Sequence, residues 1–211
     1  MIPETLFWLS VSAIFHSYLF FPWLVNILSK GKKENQLIYQ PEDDLPFVSI
    51  LLSVHNEDEV IINKIRSIYN TQYPLNKFEL LIGSDASTDG TNLICKIYSE
   101  NYESMSFFPF KLRQGKPAII NNLVNRARGN ILILTDARVF FETKTIYDLI
   151  RHFRNPEIDI VGGNIISDKV SPKGISMQEK AFMSREIRLK YLEGLIWGKT
   201  MGVYGGAYAI R

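Results

Sequence analysis

The sequence predicts a three-layer α/β domain with a mostly parallel sheet, preceded by one helix of membrane-spanning length. Three observations carry this. First, short apolar runs alternate with stretches of helical period from Phe47 to Ile166. Second, Ile131-Leu132-Ile133-Leu134, an unbroken aliphatic run after Arg128-Gly129-Asn130, has the composition of a strand buried on both faces, as in the middle of a parallel sheet. Third, that run leads directly into Thr135-Asp136-Ala137-Arg138. A second strand, Phe78 to Ile82, leads likewise into Ser84-Asp85-Ala86-Ser87-Thr88-Asp89-Gly90-Thr91. Open α/β sheets bind ligands in the crevice outside the carboxyl ends of their strands, which makes Asp136 and Asp85 candidate ligand groups. The competing reading for Asp136 is that it only caps the next turn, and the second site weighs against that.

The 211 residues correspond to about one to one and a half domains. A single cysteine, Cys95, excludes an internal disulfide and reads as a small buried hydrophobe. With a net charge of +2 and no Arg/Lys-rich stripe, the composition argues against nucleic acid as a partner.

Leu6 to Leu28 contains no Asp, Glu, Lys or Arg and fits the ~20 residues needed to cross hydrocarbon. Pro22 is tolerated in such a helix at a kink. A cleaved signal peptide is the alternative, but no basic region precedes the run and no small-residue cleavage site follows it. Trp8 and Trp23 fall towards the two interfaces. Lys30, Lys32 and Lys33 follow the run, whereas Glu4 is the only charged side chain before it. The positive-inside rule therefore predicts a single pass through the cytoplasmic membrane with everything after residue 30 in the cytoplasm. The expected organisation is a short N-terminus and transmembrane helix over 1–29, a breaker-rich linker over 30–46 and the α/β domain over 47–211.

Phe47 to Val54 reads as the first strand. Asn56 is the expected N-cap of the next helix, with Glu57, Asp58 and Glu59 favoured by the helix dipole in its first turn. Ile61, Ile65, Ile68 and Tyr69 repeat at helical spacing, and Tyr73-Pro74 ends that helix. A second helix starts near Thr91, with Leu93, Ile94, Ile97 and Tyr98 expected on one face. A third strand is predicted near Met105 to Phe108. Ile119, Ile120, Leu123, Val124 and Ala127 mark a third helix after Gln114-Gly115-Lys116. Ile146 to Phe153 marks a fourth helix, Ile158 to Ile166 another strand, and Met177 to Leu195 a last helix.

These pieces together carry a family resemblance. Val48-Ser49-Ile50 to His55-Asn56-Glu57, the turn Ser84 to Thr91, Gly115-Lys116-Pro117-Ala118 with Asn121, Leu134-Thr135-Asp136-Ala137, and Gly205-Gly206-Ala207-Tyr208-Ala209-Ile210-Arg211 resemble, in order and spacing, the motifs of family 2 glycosyltransferases. Each piece alone is weak; five in register are specific. The resemblance covers residues 47 to 211. It implies a GT-A-like α/β/α fold and inverting transfer of a sugar from a nucleotide diphosphate donor, here a UDP-sugar, to a glycan or lipid-linked acceptor. Membrane-anchored members of the family commonly make polysaccharide or modify lipid-linked glycans.

Carried onto this chain, the resemblance places the nucleotide base against Asp85, whose carboxylate can accept its imide N–H. Ser53 and His55 line the same pocket, and Glu57 lies at its edge. His55 as a plain turn residue and Glu57 as a dipole-favoured one are the structural alternatives. Asp136 approaches the ribose or a divalent cation, Mg²⁺ or Mn²⁺. The family's Asp-x-Asp would put a second carboxylate at 138, where this chain has Arg138. Either Asp136 alone, with diphosphate and water, holds the ion, or Arg138 partly replaces it as a planar cation suited to phosphate oxygens. Lys116 adds charge near the donor unless it is solvated, as Arg138 would be if it pointed outward. Gly205 and Gly206 shape the acceptor side.

Inverting transfer needs a general base. No carboxylate between Met177 and Gly206 matches the family's, which is expected beyond Arg211; on this reading the chain is the front of a longer enzyme and by itself inactive. The alternative is a non-catalytic, membrane-tethered nucleotide-sugar-binding protein or assembly partner. A nicotinamide-dependent Rossmann enzyme is disfavoured, because no Gly-x-Gly-x-x-Gly follows the first strand.

Overall fold

A computed structural model describes residues 2–166, 175–199, 202–203 and 205–211. The chain divides into two compact units: residues 1–36 with 166–203, and residues 37–165 with 204–211.

The second unit carries a six-stranded sheet in the order β3-β2-β1-β4-β6-β5. Its strands are β1 (Val48–Val54), β2 (Phe78–Asp85), β3 (Met105–Phe110), β4 (Ile131–Thr135), β5 (Ile160–Gly162) and β6 (Ala207–Ile210). The first four are mutually parallel; β6 runs antiparallel to β4 and β5 antiparallel to β6. The aliphatic runs give β1 and β2 their nearly complete burial. Alternate residues of β1 point to opposite faces, as the pleat requires. Val48, Ile50, Leu52 and Val54 join a core with Ile61, Ile65 and Ile68 of α3 (Ile61–Tyr69), Cys95 of α4 (Thr91–Asn101) and Ile146 of α6 (Thr145–Ile150). Leu51 and Leu81 pack on the other face against Ile119, Ile120 and Leu123 of α5 (Lys116–Val124). This is the three-layer, mostly parallel architecture the sequence predicts.

Two expectations fail locally. Asn56 does not cap α3, which begins at Ile61. Its backbone is left-handed, with φ of 53°, a conformation Asn adopts more readily than most residues, and its Oδ1 accepts the Thr88 N–H instead at 2.8 Å. On α4 the buried side chains are Thr91 and Cys95, while Leu93 and Ile97 are exposed.

The breaker-rich stretch is packed over its second half. Leu45 is buried, the Tyr39 N–H donates to the Arg151 carbonyl at 2.8 Å, and Asp43 and Asp44 pair with Arg154 and Lys77. At the amino-terminal end of the sheet, the buried Glu79 carboxylate accepts from the Ser49 hydroxyl at 2.6 Å and from the Arg128 N–H at 2.7 Å. That network is structural, since it lies at the end of the strands away from the candidate carboxylates.

In the first unit, α1 (Ile2–Phe15), a π-helical turn (His16–Phe20) and α2 (Phe21–Leu28) form one continuous apolar helix long enough to cross a membrane, spanning Pro3–Leu28. Pro22 offers no amide to the Tyr18 carbonyl four residues back. Arg185 of α7 (Ile175–Trp197) donates to that carbonyl, and Arg188 to Asn26 Oδ1 at 3.2 Å.

Candidate functional site

The carboxyl ends of β1, β2 and β4 lie side by side, because Val54 pairs with Ser84 and Leu52 with Thr135. Every candidate residue except Gly205 and Gly206 sits at or just after one of these ends, or at the start of α5.

Asp85, the last residue of β2, is 4% exposed. Its two oxygens accept the backbone N–H groups of Gln114 and Gly115, at 2.7 and 2.9 Å. A carboxylate has about four lone-pair positions, so two remain for a ligand donor. Gly115 holds φ of +85°, which lets the chain turn its amide inward before α5 begins. His55 Nδ1 lies 2.6 Å from the Asp85 carbonyl. A carbonyl only accepts, so Nδ1 carries the hydrogen and the ring is fixed beside Asp85. Ser53 is half-buried on β1, opposite Gly83.

The turns after β1 and β2 are laced together. The Asn56 N–H donates to Ser87 Oγ at 3.1 Å and the Glu57 N–H to Thr91 Oγ1 at 2.8 Å. Ala86, like Asn56, is left-handed, with φ of 55°, a conformation alanine rarely adopts. Asp89 accepts from the Thr91 N–H at 3.0 Å and the Asp58 N–H at 3.2 Å. Desolvation pushes its carboxyl up, but these bonds outweigh it and hold the group below its ordinary value.

After β4, two ion pairs form. Lys116 Nζ meets Asp136 Oδ1, and Arg138 Nη2 lies 2.9 Å from Glu57 Oε2. The structure thus brings four of the five predicted charged residues into two couples, with the Lys116 and Arg138 side chains each more than half exposed. The Lys116–Asp136 pair is exposed on both sides, a kind worth about 0–1 kcal/mol, so an incoming phosphate can compete for Lys116, whereas the Glu57 partner of Arg138 is mostly buried. The Asp136 N–H donates to the Gly206 carbonyl at 3.1 Å.

Lys64 went unnoticed in the sequence. It stands three residues after Ile61 and four before Ile68, on the inward face of α3, and that spacing is the signal the sequence offers. It is fully buried, and its Nζ donates to Thr135 Oγ1 at 2.8 Å and to the Val139 carbonyl. Desolvation pushes its ammonium down from 10.5 to about 7, against an opposing pull from Asp136. Between those values the unfolded chain binds the proton that the folded chain has released, so stability rises with pH through that window; below about 7 the cost of the buried charge is fully present. Wild type should therefore gain melting temperature relative to Lys64→Met as pH is raised from 7 towards 10. A constant difference across that range would contradict this.

Among the described residues no group of three His, Cys, Asp or Glu gathers as a metal site. The sheet thus gathers carboxylates and cations at the adjoining ends of β1, β2 and β4. Residues 49–211 match Glycosyl transferase family 2, and the chain belongs to that family. It is 29% identical over 121 residues to glycosyltransferase AglE of Haloferax volcanii, covering 57% of this chain and 40% of AglE. It is 24% identical over 164 residues to poly-beta-1,6-N-acetyl-D-glucosamine synthase of Staphylococcus epidermidis, covering 72% of this chain and 39% of the synthase. The chain thus spans about two-fifths of the length of these relatives. The fold resembles that of the mannosyltransferase PcManGT from Pyrobaculum calidifontis, solved with GDP-Man and Mn²⁺, with a TM-score of 0.77 and 22% identity over 95% of this chain and 54% of that one.

Proposed function

We propose that the chain binds a UDP-sugar at the ends of β1, β2 and β4 and serves inverting transfer of its hexose to a glycan or lipid-linked acceptor. The observation that supports this best is the buried Asp85 carboxylate, held in the crevice by two amides with lone pairs left over. Asp85 accepts the imide N–H of the base, while His55 and Ser53 line its faces. Lys116 leaves Asp136 to meet the diphosphate and Arg138, kept on Glu57, offers its remaining N–H groups, offsetting charge where it develops on the leaving group. Gly205 and Gly206 bound the acceptor side. The general base is assigned to none of the described residues.

Asp136 is half-exposed with one oxygen engaged by Lys116. That fits Mg²⁺ or Mn²⁺ held by one carboxylate and completed by substrate oxygens and water, the usual arrangement for a hard cation on a diphosphate. Bound there, the ion supplies Lewis-acid stabilisation of the leaving diphosphate. Arg138 makes the site less dependent on that ion. Arg138→Asp should weaken UDP binding in chelator and make binding respond more steeply to Mn²⁺. Identical titrations for variant and wild type would make Arg138 a bystander.

The apolar helix is proposed to anchor the chain in the cytoplasmic membrane with Lys30, Lys32 and Lys33 inside. Gln36→Cys tests this. Cys95 is buried, and burial raises its thiol to about 12, so it will not react. In intact cells Gln36→Cys should be shielded from a membrane-impermeant maleimide and should label after lysis; labelling in intact cells would reverse the orientation.

A further inference from the structure

We propose that Lys64 is a positioning residue that fastens the Asp136 loop to the Gly205-Gly206 turn, so that one buried hydrogen-bond chain sets the donor and acceptor sides together. What is positioned rests on the donor reading above; the fastening itself does not.

The chain can be followed atom by atom. Lys64 Nζ donates to Thr135 Oγ1 at 2.8 Å and to the Val139 carbonyl, gripping both ends of the loop that carries Asp136 and Arg138. Thr135 Oγ1 in turn donates to the Gly206 carbonyl at 3.2 Å. The Asp136 N–H donates to that same oxygen at 3.1 Å. Gly206 is wedged against the loop as well, since a Cβ there would stand 3.1 Å from Val139 Cγ2 and 2.4 Å from Ile165 Cδ1. The Phe141 ring, 4.0 Å from Nζ, closes the far side.

The position argues against a packing role alone. Ile61, Ile65 and Ile68 already line this face of α3, and a fourth aliphatic side chain would fill the volume without burying an amine. An amine adds direction: it bonds two specific acceptors, whereas an aliphatic group fits any loop conformation of similar shape.

The test uses the 211-residue chain purified in detergent, with Lys64→Met, Thr135→Val, their double variant, and Ile65→Ala as a destabilised control from the same helix. Amide exchange at Asp136 reports the bond to Gly206, and calorimetry with UDP and Mn²⁺ reports the site. With conditions matched for distance below each melting temperature, Lys64→Met should speed Asp136 exchange at least about tenfold over Ile65→Ala. UDP affinity should fall at least about tenfold in Lys64→Met and Thr135→Val but not in Ile65→Ala, and the double variant should be no worse than the poorer single one. Equal exchange in Lys64→Met and Ile65→Ala, or an equal loss of affinity in both, overturns the proposal. If wild type binds no nucleotide, the donor reading falls and the exchange arm alone decides the role of Lys64. If Lys64→Met does not fold, Thr135→Val carries both arms.

Discussion

Asp85→Ala is expected to weaken UDP binding by about 1.5–3 kcal/mol, roughly tenfold to a hundredfold, the range for losing a hydrogen bond to a charged group. The structure adds a second cost. With the carboxylate gone, the Gln114 and Gly115 amides lose their shared acceptor, and the segment that delivers Lys116 to the crevice loosens. Asp85→Asn separates the two effects. Its carbonyl can keep one amide while its NH₂ opposes the other and no negative charge remains, so it should fold better than alanine and still bind poorly. Calorimetry on folded variants checks both, and unchanged affinity in Asp85→Ala would remove Asp85 from the site.

Asp136→Asn is expected to abolish the gain in UDP affinity produced by Mn²⁺, a loss of at least about tenfold, because the affinity of a hard cation site is tuned by the charge of its ligands. Lys116 loses its carboxylate partner in the same variant and becomes free for phosphate, so binding in chelator should fall less than binding with Mn²⁺. The contrast between the two conditions distinguishes a metal-linked role from general loss of charge. A Mn²⁺ response equal to that of wild type would contradict the assignment of Asp136.

The parts of the fold legible in the sequence are those where local composition and tertiary burial agree. β1, β2 and β4 are parallel strands covered on both faces, and that burial leaves continuous aliphatic runs. β6 was missed. Its pairing with β4 is antiparallel and long-range, and Ala207 to Ile210 follow a glycine pair that reads as loop. The run from Ile158 to Ile166 looks like a full strand, yet only Ile160–Gly162 pairs, at the edge of the sheet.

The candidate site divides in the same way. Asp85 and Asp136 could be found because strand exits are recognisable and carboxylates there are chemically conspicuous. The couples Lys116–Asp136 and Arg138–Glu57 could not, because each joins residues from separate segments whose side chains meet only once β1, β2 and β4 are in register. Lys64 lay hidden for the opposite reason. Lysine is taken for a solvated residue by default, and only its shared face with Ile61, Ile65 and Ile68 signals burial.

The most direct test of a donor site at these strand ends is calorimetric titration of the 211-residue chain in detergent with UDP and with GDP, each with Mn²⁺ and with chelator. Saturable binding of UDP, tighter than that of GDP, strengthened by Mn²⁺ and lost in Asp85→Ala, is the predicted result. A folded wild-type protein that gives no binding heat with either nucleotide, or that binds UDP equally well after Asp85→Ala, would contradict it.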